Sequence, residues 1–313
     1  MKTRLLFANV CLGTVLALAP ACGDDGGGSG ADASTNPDVD ASTNPGADAS
    51  TAGFETLITG SFTIPAGSEI YRCARVTVPQ DMYISAFQAI APLGTHHTVV
   101  TIDSSGQSDG EFDCGAGTLS DQMLYASGVG TDVLEFPQGV AMKVSAGQQI
   151  LLNLHLYNVG DQPISGTAGT SVKTMPVGDV VHEAEMLFAG PITLSVPPGE
   201  QTVQADCTFQ NAATIMTVWP HMHQYGTNMR VDVNRSGGGS EMIHNEPYAF
   251  AEQKNYPKTP MIQMNAGDKV HVTCTYMNTS GSTISFGDSS DDEMCFAGLY
   301  RYPKTAPSPF CVF

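Results

Sequence analysis

Three short runs concentrate the side chains best suited to holding a soft or borderline metal ion. They are His96-His97 in APLGTHHTVV, His155 in LLNLHLYN, and His221-Met222-His223 in VWPHMHQYG. Imidazole suits copper, zinc and iron, so metal binding is the first chemistry these residues suggest. The three runs ask different things of the backbone. On a strand, residues i and i+2 project from one face, so His221 and His223 can share an ion without distortion. Adjacent residues project to opposite faces. His96 and His97 can therefore share an ion only if a bulge or strand end turns one of them, and Gly94 just upstream would ease that turn. Taken singly, each histidine is equally an ordinary, satisfied side chain. His182, His244 and His271 match no ligand spacing and read as structural or surface histidines.

Such ligands need a scaffold, and the pattern around them is that of strands. From Phe54 onward the chain runs through short alternating or β-rich segments, among them YRCARVTV, TVVTID, ILLNLHLYN, TIMTVWP, MRVDVN and KVHVTCTY. Clusters of Gly, Pro, Asn, Asp and Ser punctuate them at intervals typical of antiparallel sandwiches, and no long 3.6-period segment occurs. The expected fold is all-β. About 260 residues are ample for two sandwiches, and the least strand-like stretch near the middle, KTMPVGDVVHEAE, places a boundary near residue 182. Two tandem antiparallel β-sandwich domains, jelly-roll-like, are expected over residues 54–182 and 183–313.

Residues 1–21 read as an export signal: Lys2 and Arg4, an apolar run, then Ala19-Pro20-Ala21 before Cys22. Two cleavage readings compete, lipoprotein processing with Cys22 lipidated and ordinary cleavage after Ala21. Cysteine arithmetic favours the lipoprotein, because lipidation of Cys22 leaves Cys73, Cys114, Cys207, Cys274, Cys295 and Cys311, an even set that permits three disulfides in an oxidising compartment. Residues 22–53 repeat DAST from Asp32, Asp40 and Asp48 and hold almost no apolar side chains, so they read as a disordered acidic linker. Thirteen basic against 31 acidic residues give a net charge of −18, which repels nucleic-acid phosphates and anionic lipid headgroups. Nucleic-acid binding is therefore excluded, and membrane contact is expected only through the N-terminal lipid. Gly23 after Cys22 lacks the retention signal an Asp would give, so an outer-membrane lipoprotein facing the periplasm or the cell surface is expected.

The motifs taken together carry a resemblance. VPPGEQTVQADC, VWPHMHQYG, GDKVHVTCTY and DDEMCFAGLYRYP look like the C-terminal half of the peptidylglycine α-hydroxylating and dopamine β-monooxygenases, and HHT and LHLYN look like that family's upstream histidine motifs. The chain thus resembles the copper type II, ascorbate-dependent monooxygenases, most strongly over residues 196–303. By that resemblance His96, His97 and His155 would hold an electron-transferring copper. His221, His223 and Met294 would hold, as the catalytic set, a second copper that meets dioxygen. A thioether is a soft ligand that favours Cu(I), which agrees with that division. The resemblance also implies disulfides Cys73–Cys114, Cys207–Cys311 and Cys274–Cys295, the last fixing the backbone beside Met294.

The chain departs from the family where peptidylglycine enzymes anchor a carboxylate. Trp219 stands where those enzymes have an arginine, and Phe296 and Gly298 replace an asparagine and a tyrosine. Trp219 and Phe296 then become candidate walls of an apolar, aromatic substrate pocket, or else simply core. The implied function is hydroxylation of a C–H bond of a small organic substrate with O2, two coppers per chain being re-reduced by ascorbate or another one-electron donor. The alternative is a non-catalytic, surface copper-binding lipoprotein. A purely structural adhesion sandwich would leave four ordered ligand motifs to coincidence.

Overall fold

The computed structural model describes residues 53–117, 122–128, 130–306 and 308–311, all within one compact unit spanning Ser50–Phe313. The expected signal segment, Cys22 and the acidic linker to residue 52 lie outside the described residues. Strands dominate, and the one helical turn among the described residues is a 3-10 turn at Val177–Asp179.

The first half contains β1 (Glu55–Ile64), β2 (Ser68–Thr77), β3 (Met82–Ile90), β4 (Thr95–Asp103) and β5 (Gly110–Asp113). It continues through β6 (Gln122–Gly128), β7 (Leu134–Glu135), β8 (Val140–Val144), β9 (Gln149–Asn158) and β10 (Ile164–Thr174). β1 to β4 alternate between two sheets, as do β8 to β10. One sheet runs β1-β10-β3-β8, with β7 on β3, and the other runs β5-β2-β9-β4-β6. Two sheets exchanging strands in this order are a jelly roll, and their inward residues, such as Ile64, Phe87, Leu152 and Leu154, are fully buried.

The second half repeats the plan. Its strands are β11 (His182–Glu183), β12 (Glu185–Ala189), β13 (Ser195–Val196), β14 (Gly199–Thr208), β15 (Ala213–His221) and β16 (Gly226–Asn234). Then come β17 (Ser240–Pro247), β18 (Tyr256–Met264), β19 (Lys269–Asn278), β20 (Ile284–Ser285), β21 (Phe296–Tyr302) and β22 (Phe310–Cys311). The sheets are β18-β15-β21-β12-β22 and β14-β19-β16-β17, with β13-β20 as a small pair. The crossover between halves is abrupt, since β11 still pairs in parallel with β8 of the first half and β12, one residue later, pairs with β21 of the second.

The sheet containing β12, β15 and β21 is buried on both faces, which explains why EMLFA, TIMTVWP and FAGLY read as almost unbroken apolar runs. Alternate residues serve different cores. Leu187, Ile215, Val218, Ala297 and Leu299 face the interior of the second sandwich. Met186, Phe188, Met216, Trp219, Phe296 and Tyr300 instead join the core of the first half, where Tyr300 meets Phe136 with ring centroids 5.9 Å apart. The same sheet buries an ion pair: Glu185, opposite Arg301 in register, accepts from its Nε and Nη2 at 3.0 and 2.7 Å and from the backbone N–H groups of Thr305 and Ala306. With both charges paired and the carboxylate further hydrogen-bonded, the desolvation cost of burying them is offset.

All three expected disulfides form, joining Cys73 to Cys114, Cys207 to Cys311 and Cys274 to Cys295. The other three histidines fall outside any cluster. His182 stacks on Tyr302, His244 is buried against Tyr256, and His271 hydrogen-bonds Asp206 at 2.7 Å.

Candidate metal centre

In the first half, β4 and β9 are hydrogen-bonded neighbours and place His97 directly opposite His155. The ladder slips by one residue between Thr95 and His97, and Gly94 takes a φ of +93° immediately before it. That irregularity turns the ring of His96 to the side occupied by the other two. The three Nδ1 atoms then form a nearly equilateral triangle, with His96–His97 at 3.1 Å, His96–His155 at 3.2 Å and His97–His155 at 3.4 Å. The centre of such a triangle lies roughly 1.9 Å from each nitrogen, close to a metal–imidazole bond of about 2 Å.

Protonation agrees with the geometry. The Nε2 of His155 is hydrogen-bonded to the carboxylate of Glu69, an acceptor, so its proton sits there and its Nδ1 lone pair points into the triangle. Tyr71 stacks flat on the same imidazole, centroids 4.5 Å apart, and fixes its plane. Burial, and then the adjacent His155, lowers His96 to about 4. Burial also lowers His97 and His155, the latter against the pull of Glu69. All three are neutral at pH 7, the form that offers a lone pair. Three neutral imidazoles whose Nδ1 atoms converge at 3.1 to 3.4 Å are a site that a cation completes.

The second half assembles its set differently. His221 is the last residue of β15, and His223 lies beyond the strand, so the pair does not sit on one strand face as the i, i+2 spacing predicts. The rings nonetheless approach to 5.2 Å between centroids. Each is oriented by an oxygen. His221 Nδ1–H donates to Gln253 Oε1 at 2.9 Å, and the amide's own orientation is set by its Nε2 donating to Phe250 O at 3.2 Å. His223 Nδ1–H donates to Asp292 O at 3.0 Å. Both tautomers therefore leave Nε2 unprotonated and available. Burial, and then His223, lowers His221 to about 3, and burial lowers His223 as well.

Met294 is buried and lines the same cavity as His221 and His223. Its backbone is held from three sides: the neighbouring Cys295 is bonded to Cys274, Tyr276 Oη donates to its carbonyl at 2.8 Å, and its N–H donates to Glu293. Glu293 ties the two ligand segments together, because its carboxylate also accepts from the N–H groups of His223 at 3.0 Å and Tyr225 at 2.8 Å. Burial raises this carboxyl to about 7 against those hydrogen bonds.

The two sets open on one cavity. About 60 Å³ in volume, it is lined by His97, His221, His223 and Met294 and walled by Tyr71, Phe188, Trp219, Phe250 and Phe296. Trp219 and Phe296 are thus cavity wall and core at once. Trp219 stacks on His221 with centroids 4.9 Å apart and planes 12° apart. It pairs across the ladder with Gly298, where an added Cβ would come within 3.0 Å of the indole. Gly298 thus leaves the space that the Trp219 ring and, closer still, the Met186 side chain occupy.

Glu69, Tyr71, Gln253, Phe250 and Glu293 are neighbours of the histidines that no spacing in the sequence marks, because each reaches its partner across dozens of residues or from a loop.

Residues 183–312 match the sequence family described as copper type II ascorbate-dependent monooxygenase, C-terminal domain. Among solved structures, one of infectious bursal disease virus, Gx strain, is 10% identical over 79% of this chain and 72% of that chain, with a TM-score of 0.22. A likeness that weak carries no argument.

Proposed function

We propose that this protein is a two-copper monooxygenase, because residues 183–312 match the family model of the copper type II ascorbate-dependent monooxygenase C-terminal domain. In this reading, His96, His97 and His155 hold one copper, and His221, His223 and Met294 hold the other. Copper, when bound, supplies one-electron redox chemistry between a donor such as ascorbate and O2. The protein's own part is to present neutral, oriented imidazoles, to exclude water behind aromatic walls, and to offer an apolar surface to a small organic substrate. The observation that carries the reading is the convergence of three Nδ1 atoms, at 3.1 to 3.4 Å, on one point beside the second histidine pair.

The substrate side follows from Trp219, Phe296 and Gly298. The cavity lining contains no Lys or Arg, so a substrate carboxylate buried there would stand unpaired at a cost of several kcal/mol. Peptides ending in glycine are poor candidates. We further propose export and anchoring through lipid on Cys22, with the acidic linker as tether and no contact with nucleic acid.

One observation favours a second reading, a copper-binding lipoprotein without turnover: 60 Å³ is little room for an organic substrate. Copper analysis with EPR on the folded body, followed by oxygen uptake with ascorbate and a panel of apolar substrates, separates the two. Two magnetically distinct coppers and substrate-dependent uptake support the enzyme. Two coppers with no such uptake support the binder, and no copper overturns both.

A further inference from the structure

Between β17 and β18 a loop of residues 248–255 leaves the second sandwich and lies against the first. Its ends are anchored at the HxH segment. Tyr248 Oη donates to the carbonyl of Met222, between the two histidines, and Gln253 Oε1 receives His221 Nδ1–H. Gln253 also ties the loop to the other half. Thr131 Oγ1 donates to Gln253 O at 2.9 Å. The backbone of Gln253 also passes so close to Gly128 that an added Cβ would lie 2.8 Å from its nitrogen. Gly128 is the residue paired directly opposite His97. The loop is thus pressed against the strand that backs the first histidine set while its own side chains orient the second.

Phe250 sits at the crossing. Its ring centroid is 5.0 Å from that of His96, 6.4 Å from His97 and 5.8 Å from His223. No other side chain among the ring contacts touches imidazoles of both sets. A phenyl ring has no hydrogen-bonding group, so it satisfies none of these histidines. What it contributes there is volume and dryness: it sets how near the two sets approach and displaces water from between them.

We infer that residues 248–255 form an inter-site strap and that Phe250 is a positioning residue that fixes the separation of the two histidine sets. The strap is a property of the fold and needs no metal; its consequence for electron movement between the sites rests on the two-copper reading above. Loosening it lets the halves spread and water enter, while every ligand atom remains present.

The test uses the full exported chain with Phe250→Ala, Phe250→Tyr and Gly128→Ala. The last displaces the strap at Gln253 and leaves Phe250 and every histidine unsubstituted. In the metal-free protein, amide exchange at residues 130–131 and 248–255 should quicken by about tenfold in Phe250→Ala and Gly128→Ala, and stay near wild type in Phe250→Tyr. In copper-loaded protein, Phe250→Ala should keep the wild-type copper content, and both variants should lose dipolar broadening between the two Cu(II) EPR signals. Stopped-flow reduction of the second copper by ascorbate should slow by about tenfold or more relative to the first, since small displacements between reacting groups carry large rate costs. Phe250→Tyr should restore both. Unchanged exchange and unchanged broadening in both Phe250→Ala and Gly128→Ala would overturn the strap. A chain that takes up no copper would remove the two-copper reading alone, and the exchange measurement would then decide the strap by itself.

Discussion

The two histidine sets solve the same problem by different means. In the first half, two hydrogen-bonded strands do nearly everything: ladder pairing places His97 opposite His155, and one slip of register beside Gly94 adds His96. In the second half the candidate ligands come from a strand end, the residue two beyond it, and a segment some 70 positions later in the chain. The β15–β21 ladder stops at His221 opposite Phe296, short of His223 and Met294, so beyond it a disulfide and Glu293, which accepts three backbone N–H groups, do the holding. A site built on paired strands inherits the rigidity of the sheet, whereas a site built on loops is only as stiff as its cross-links. In the two-copper reading proposed above, the rigid three-nitrogen set suits a centre that changes little as electrons pass. The cross-linked set instead has Met294 and aromatic walls at its cavity.

The comparison breaks most readily at Met294. Met294→Ile roughly conserves volume and leaves Cys274 and Cys295 free to pair, so the fold should persist. Copper in the first half should be unaffected, copper in the second should bind more weakly and lose its preference for Cu(I), and substrate-dependent oxygen uptake should fall by orders of magnitude. Metal content, melting temperature and oxygen uptake measured on one preparation decide it. If copper content and uptake both match wild type, Met294 is core filling and the second site has been misassigned.

The disulfides sharpen the contrast. Replacing Cys274 and Cys295 with alanine should cost about 3 kcal/mol of stability and should selectively weaken copper in the second half. Replacing Cys73 and Cys114 should cost a similar amount of stability but leave first-half affinity nearly intact, because strand pairing rather than the bridge places His155. Chemical denaturation and competitive copper titration of both variants test this. Equal losses of affinity at the two sites would erase the distinction between strand-built and cross-linked.

How much of this was legible beforehand follows the same division. Strand-based features could be read because their rules are local: alternation marked the strands, and the adjacency of His96 and His97 announced a bulge before one was seen. The disulfide pairing was legible only through family resemblance, since nothing in the spacing of Cys274 and Cys295 selects that partner. The orienting groups were not legible. Glu69 meets His155 across 86 residues, and Gln253 reaches His221 from a loop without periodicity. Nor could the sequence show that both sets share a cavity, which depends on a sheet buried on both faces.

A smaller effect is expected at Glu69. Glu69→Gln keeps the size but can no longer take the proton of His155 Nε2 as a carboxylate does, and copper affinity in the first half should fall by about 10- to 100-fold. Copper affinity in the second half should not move. A drop of equal size in both would mean that the two sets are not independent ion sites.

The smallest effect is a control on the remaining buried histidine. Burial, and then nearby Lys258, lowers His244 to about 4 from its usual 6.5. The folded value lies below the unfolded one, so the unfolded chain takes the proton first as pH falls. The associated stability is whole above pH 6.5 and is lost progressively toward pH 4, by at most about 3 kcal/mol. His244→Phe should flatten part of the fall in melting temperature of metal-free protein between those limits. An unchanged slope would assign the acid sensitivity to the five clustered histidines instead.

The stacking of Trp219 on His221 has an optical side. Trp219 is the only tryptophan in the chain. It is 2% exposed, and its Nε1 has no hydrogen-bond partner among the described residues. Intrinsic fluorescence excited at the red edge of protein absorption therefore comes from a single, dry indole and should peak well to the blue of a solvated one. Lying flat against His221, that indole is in contact range of any paramagnetic ion held by the neighbouring imidazole, and such an ion quenches it. The protein thus carries its own emitter for the second half and none for the first, so a copper titration followed by emission alone reports the filling order of the two sites without a label.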